Sequence, residues 1–279
     1  MSIMRNIVIA LFVIVLFASC EEKMVIIPEF TPVESGRVIL VEELTGVRCP
    51  NCPTGSERLK AVESLYPDNM VVVAVHGVDL AKPLDESAYD FRNEDAAAIE
   101  NYLKPYLGKP AAYFNRVVFE DLLPDFGNSF SGGWQDYVER ELEKEQQINL
   151  AINHEFDPIT RELEITVNAI PLEDMQGEFK MNIMMTESHI IDAQDNQSTI
   201  ELDYEHNHVL RDMITQFDGD FLTNELTESV LASKSYTYTV PTDEQGLWVP
   251  ENLEIVAFIS NTEGELKEVI QAAKAHLVE

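Results

Sequence analysis

Residues 38–53 read Val38-Ile39-Leu40-Val41-Glu42-Glu43-Leu44-Thr45-Gly46-Val47-Arg48-Cys49-Pro50-Asn51-Cys52-Pro53. The apolar, β-branched run that opens this stretch has the length and pattern of a strand buried on both faces. It ends at Thr45-Gly46. Helical spacing follows through Leu59, Val62 and Leu65, within Ser56–Tyr66, and Pro50 suits the first position of that helix. Two cysteines separated by two residues are thus set where a strand gives way to a helix. Unpaired N–H groups and the dipole at a helix start favour a thiolate, and the Arg48 cation adds to that effect. Cys49 is the candidate nucleophile toward a substrate disulfide, with Cys52 as the thiol that resolves the mixed disulfide. The alternative is an inert disulfide, although a loop this small gains little from chain entropy. A zinc site would need two further ligands.

Outward from this stretch the alternation continues. Met70–Val75 is a second buried strand, ended by His76-Gly77, and Ser87–Leu103 is Ala- and acid-rich and reads as helix. Gly108-Lys109-Pro110 breaks the chain, Ala111–Phe119 is strand-like with a turn at Asn115-Arg116, and Gly132–Gln147 is helical again. Strand and helix in alternation argue for an α/β sheet with a parallel core. After about residue 147 the period becomes two, as in Ile148–Ile152 and Leu163–Val167, with Asp157-Pro158 as the turn between them. Further candidate strands are 178–185, 208–214, 235–240, 253–259 and 266–277. Short strands with turn signals fit a β-sandwich of immunoglobulin-like type.

The first residues differ from the rest. Ile7–Ala18 is an unbroken apolar run after a basic start at Arg5, too short to span a bilayer, and it ends in Phe17-Ala18-Ser19-Cys20. This is a secretory signal pattern. With Cys20 set aside, Cys49 and Cys52 are left to pair in a compartment where disulfides persist. The tract up to Ser35, with Pro28 and Pro32, reads as a tether. The formal charge is −31, and residues 145–279 hold 27 acidic against 6 basic side chains. That balance disfavours nucleic acid and anionic membrane surfaces as direct partners, so no nucleic acid is expected.

Residues 37–119 resemble a thioredoxin-fold domain. Glu43, six residues before Cys49, matches the place of a buried acid that relays protons to the second cysteine. Gly108-Lys109-Pro110 resembles the loop whose cis proline faces the cysteines and helps bind extended substrate, so the resemblance implies that Pro110 is cis. Arg48 departs from the usual aromatic residue before the first cysteine, and Pro53 from the usual residue after the second. Phe17–Cys20 resembles a bacterial lipobox with Cys20 as the lipidated residue. Over its length the chain resembles outer-membrane lipoproteins of the Omp28-related family. The residues that carry this are the lipobox, Val47–Cys52, Gly108–Arg116 and His206-Asn207-His208-Val209-Leu210-Arg211. The resemblance implies an α/β thioredoxin-like domain followed by an all-β immunoglobulin-like sandwich. The divisions are a signal at 1–19, a tether at 20–35, a thioredoxin-like domain at 36–146 and a sandwich at 147–279.

Other candidates are weaker. His76 would end a strand beside the thiols, at the edge where α/β sites collect. His206 and His208 would share a face if on one strand, which a metal could use, but a polar loop is the commoner context. Asp192–Asp203 is acid- and amide-rich but lacks the glycine of a calcium loop. Glu42 rivals Glu43, since neighbours on a strand face opposite ways. There is no nucleotide or phosphate loop and no Gly-x-Ser-x-Gly motif, so no cofactor or metal is expected. The expected function is thiol–disulfide exchange on envelope or surface proteins. The alternative is a non-catalytic binding lipoprotein that uses the same fold as a scaffold. The expected partners are the outer membrane, through lipid on Cys20 on its periplasmic or surface face, and a protein client. The sequence carries no signal for an oligomeric state.

Overall fold

The strand Ile39–Leu44 (β1) and the strand Met70–Val75 (β2) run parallel in register, with Val41 opposite Val72 and Glu43 opposite Ala74, and every residue of both is buried. The structure is a computed structural model that describes residues 36–117, 133–242, 247–264 and 267–278. The expected signal at 1–19, Cys20 and the expected tether at 20–35 lie outside the described residues, as does the segment 118–132 after the third strand. Helix α1 (Cys52–Leu65) joins β1 to β2, α2 (Glu94–Leu103) follows β2, and β3 (Ala111–Phe114) pairs antiparallel with β1. Helix α3 (Gly133–Leu142) completes this part.

The unbroken apolar runs of β1 and β2 are explained by burial on both faces. Ile39, Val41, Met70 and Val72 pack with Leu59 and Tyr66 of the α1 side and Trp134, Tyr137 and Val138 of α3. Leu40, Leu44, Val71, Val73 and Val75 face the other way, onto Ala96, Ile99 and Leu103 of α2. Helix α2 starts later than its composition suggests, because Asn93 caps it and its side chain accepts the N–H of Ala96 at 2.6 Å.

The remaining chain is β-rich. Its strands are β4 (Ile148–Phe156), β5 (Glu162–Pro171), β6 (Met175–Glu187), β7 (Ile190–Asn196), β8 (Thr199–His206), β9 (Val209–Met213), β10 (Asp220–Leu226), β11 (Ala232–Thr239), β12 (Leu253–Asn261) and β13 (Val269–His276). An eight-stranded mixed sheet runs β13-β12-β6-β9-β2-β1-β3, with β10 on β6. The expected boundary at residue 147 falls between α3 and β4, yet the hydrogen bonding crosses it. Strand β9 pairs parallel with β2, Val209 opposite Ala74, and Ala74 N–H donates to His208 O at 2.8 Å. The sheet also curls back on itself, for Val269 N–H donates to Asn115 O at 2.8 Å. A second sheet, β11-β5-β4, buries the alternate residues Leu163, Ile165 and Val167 against Ile183, Met185, Ile255 and Ala257, as period-two strands should. Strands β7 and β8 form a separate hairpin. No helix among the described residues is long and apolar enough to cross a membrane.

Candidate functional site

Between β1 and α1 the chain turns through Thr45–Asn51, and Cys49 and Cys52 are joined in a disulfide. The helix does not begin at Pro50, as its spacing suggests. Asn51 is the cap, Cys52 is the first helical residue, and the proline in the first turn is Pro53. A proline there costs no hydrogen bond, because the first-turn N–H groups have no helical acceptor. Arg48 does not turn to the sulfur. Its guanidinium donates to the carbonyl oxygens of Lys82 and Pro83, so its charge serves to fasten the cysteine turn to the 82–83 segment.

Both cysteines are 1% exposed. What covers the turn is the β7–β8 hairpin, far off in sequence. Asp195 N–H donates to Val47 O at 2.8 Å, and the Gln194 amide donates to Gly46 O at 3.3 Å and Cys49 O at 3.2 Å. The hairpin is anchored in turn by buried Asp192, whose carboxylate accepts the N–H groups of Ala88 and Tyr89 at 2.7 and 3.0 Å. Sequence patterning missed Gln194 and Asp195, because nothing in an acid- and amide-rich tract marks which amide will meet a turn 145 residues away.

Glu42 and Glu43 are both buried, on opposite faces of β1. Glu42 forms a two-point ion pair with Arg116, at 2.8 and 2.6 Å, which satisfies both charges. Glu43 has no such cation. Its Oε1 accepts the Ser56 hydroxyl at 2.7 Å, and burial pushes its carboxyl up to about 7. The two adjacent acids are therefore chemically different: Glu42 is tied to a guanidinium, and Glu43 is poised to exchange a proton near neutral pH.

The Lys109–Pro110 peptide is cis. Lys109 holds this loop in place. Its ammonium donates to Thr45 O at 2.9 Å, Asp79 O at 2.7 Å and the Glu100 carboxylate at 2.8 Å, and it is buried. Pro110 lies against Gly55 in the first turn of α1. A Cβ on Gly55 would come within 2.5 Å of Pro110 Cγ, so the absence of a side chain there lets the loop reach the cysteine end of the helix.

Glu43, Cys52, Ser56, His76, Tyr204 and His206 line one cavity of about 770 Å³. His76 is buried, with its ring 6.0 Å from that of His206, and burial drops its basicity well below the usual imidazole range. His206 and His208 do not act as a pair. His206 packs among Phe91, Tyr204 and His76, whereas His208 lies between Glu63 and Glu254. Among the described residues no group of three or more His, Cys, Asp or Glu converges as metal ligands do.

Comparison with known proteins agrees with this architecture. HBP35 of Porphyromonas gingivalis superposes with a TM-score of 0.66 at 13% identity, over 87% of this chain and 76% of that one. A structural-genomics protein of Agrobacterium tumefaciens gives 0.52 at 11% identity, over 89% and 97%. At these identities the likeness is one of fold. A domain of the outer membrane lipoprotein Omp28 from P. gingivalis is 21% identical over 46% of this chain and 86% of that one, with a TM-score of 0.32. No curated protein matches the chain. The family model described as outer membrane protein Omp28 matches residues 97–279, and the chain therefore belongs to the Omp28 family of outer-membrane proteins.

Proposed function

We propose that the chain is a lipoprotein, anchored through Cys20, that carries out thiol–disulfide exchange on envelope or surface proteins at Cys49 and Cys52. In this reading residues 36–146 are thioredoxin-like and residues 147–279 an immunoglobulin-like sandwich that docks the client. The observation that carries it is Glu43: a buried carboxyl with no ion-pair partner among the described residues, sharing a cavity with Cys52 and held near a pKa of 7. Burying an acid in this way is costly, and such groups concentrate where protons are moved. Pro110 against the first turn of α1 supports the same reading by geometry.

A client thiolate attacks Sγ of Cys49, forming a mixed disulfide, and the Cys49–Cys52 bond breaks with its electron pair leaving on Cys52. Glu43 protonates that thiolate. The second client thiol gives up its proton and attacks the mixed disulfide, releasing an oxidised client and a reduced Cys49/Cys52 pair. The reverse sequence reduces a client disulfide. Because Gln194 and Asp195 lie over the cysteine turn, client attack follows displacement of the β7–β8 hairpin.

A second reading rests on that same cover. With Cys49 sealed, the bond is structural and the chain is a non-catalytic binding lipoprotein. Turnover of insulin disulfides or of a scrambled-disulfide protein by the soluble mature chain separates the two. Exchange that is lost in Cys49→Ser supports the first reading, and no turnover in the wild type refutes it.

A further inference from the structure

The cavity that Cys52 touches, between α1 and the β7–β8 hairpin, is strongly acidic. Glu57, Glu63, Glu201, Asp203, Glu251 and Glu254 line it, and Lys60 is the one lysine or arginine among its described lining residues. Two of these carboxylates are sheltered: the side chains of Glu63 and Glu254 keep 19% and 9% exposure. The basic side chains that face them stand off. Lys274 Nζ is 3.7 Å from Glu63, His276 Nδ1 is 3.6 Å from Glu254, and His208 is 3.8 Å from each. Those separations exceed hydrogen-bond contact, so oxygen lone pairs in the cavity are still open to a donor.

His206 gives an independent sign of a ligand. It is 5% exposed and lines the cavity, and its Nε2 has no hydrogen-bond partner among the described residues. Its ring is held among His76, Phe91 and Tyr204, and burial lowers its pKa to about 4, so the ring is neutral. A neutral imidazole that donates through one nitrogen presents the other as an acceptor. The Tyr204 ring, 4.7 Å from that of His206, adds an aromatic face on the same wall. Acceptors, sheltered negative charge and an aromatic face match a cation that carries several N–H donors. An anion would meet repulsion there, and an apolar group would leave every acceptor unmatched.

We propose that this cavity binds an alkylammonium or guanidinium group, presented by a lysine or arginine of a protein chain or by a free polyamine. Binding needs no thiol turnover and stands apart from the exchange reaction. Where both operate, a cation held beside Cys52 selects clients with a basic residue near the reacting cysteine.

The test is calorimetric titration of the full mature chain at physiological salt. The probes are spermidine and a capped Gly-Arg-Lys-Gly peptide, with capped Gly-Gln-Gln-Gly as the uncharged control. One-to-one binding of a cationic probe is expected. It should weaken about tenfold or more in Glu63→Gln/Glu254→Gln and, separately, in His206→Phe, which leaves the formal charge unchanged. Glu155→Gln/Glu228→Gln removes the same formal charge from exposed positions outside the cavity, and less than about a twofold effect is expected there. Peptide binding alone identifies a protein chain as the source of the cation; spermidine binding as well shows that a free amine suffices. The titration involves no thiol turnover, and insulin reduction by the same preparation reads the exchange reaction separately, which keeps failure of binding distinct from failure of exchange. Absence of binding by both probes, equal weakening by the exposed control pair, or unchanged affinity in both cavity variants overturns the proposal.

Discussion

Replacing Glu43 by glutamine removes one proton site and little else. The glutamine side-chain oxygen can accept the same hydrogen bond that the Ser56 hydroxyl donates at 2.7 Å, and the residue stays buried between the sheet and α1. In the fold the carboxyl pKa stands at about 7, against 4.5 for the free side chain. Ionising it in the native state therefore costs about 3 kcal/mol more than in the unfolded chain. The sign is fixed by proton binding. Between 4.5 and 7 the native state holds the proton and the unfolded chain releases it, so the wild type loses stability as the pH rises through that window. Below about 4.5 both states are protonated and the loss is absent; above about 7 it is complete. Glu43→Gln should therefore gain on the wild type by roughly 2–3 kcal/mol from pH 4.5 to pH 8. All other titrating groups cancel in that difference. Urea unfolding of the two oxidised proteins at pH 4.5, 6 and 8 measures it directly, and a difference that stays flat across the three pH values refutes the assignment of Glu43. The same variant should slow disulfide exchange by about a hundredfold if Glu43 moves the Cys52 proton.

Three further outcomes follow from the same contacts. Gln194→Ala removes two hydrogen bonds to the cysteine turn, and reduction of the oxidised protein by dithiothreitol should speed up by roughly tenfold; an unchanged rate means that the hairpin does not limit access. Arg116→Met leaves Glu42 buried and unpaired and should cost about 3–5 kcal/mol in urea unfolding, most of it recovered by adding Glu42→Gln; a cost below about 1 kcal/mol contradicts the pairing. Gly55→Ala would gain about 1 kcal/mol from helix propensity alone, but its Cβ meets Pro110, so a net loss of roughly 1–2 kcal/mol is expected in thermal unfolding. A net gain contradicts the close approach.

The elements that sequence patterning made legible are those whose side chains meet one uniform environment. Val71, Val73 and Val75 face one core and Met70 and Val72 the other, so β2 is an unbroken apolar run. Leu163, Ile165 and Val167 alternate because one face of β5 is covered. Strands β7 and β8 carry no such signal. Ile191 and Leu202 point to solvent, while polar Asp192 and Gln194 are buried, so the hairpin's hydrophobic pattern is inverted. Its buried polar groups are satisfied by tertiary hydrogen bonds that no local rule anticipates. Strand β9 reaches β2 through one bridge between residues far apart in sequence, which hides the joining of the two halves of the sheet. At the site, the disulfide partners and the strand-to-helix setting were legible from local pattern. The division of labour between Glu42 and Glu43 was not, because it depends on Arg116 lying across one face of β1 and Ser56 across the other.

The central claim is that the Cys49–Cys52 bond opens and closes in the course of the protein's work. The equilibrium reduction potential of that pair, measured on the full mature chain against glutathione or dithiothreitol buffers, tests it most directly. Redox-active pairs of thiol–disulfide exchange proteins lie between about −120 and −270 mV, and permanently closed structural disulfides below about −300 mV. A potential above about −270 mV is predicted. A value well below −300 mV, in the wild type and in Gln194→Ala alike, would contradict the account and leave the bond a structural one.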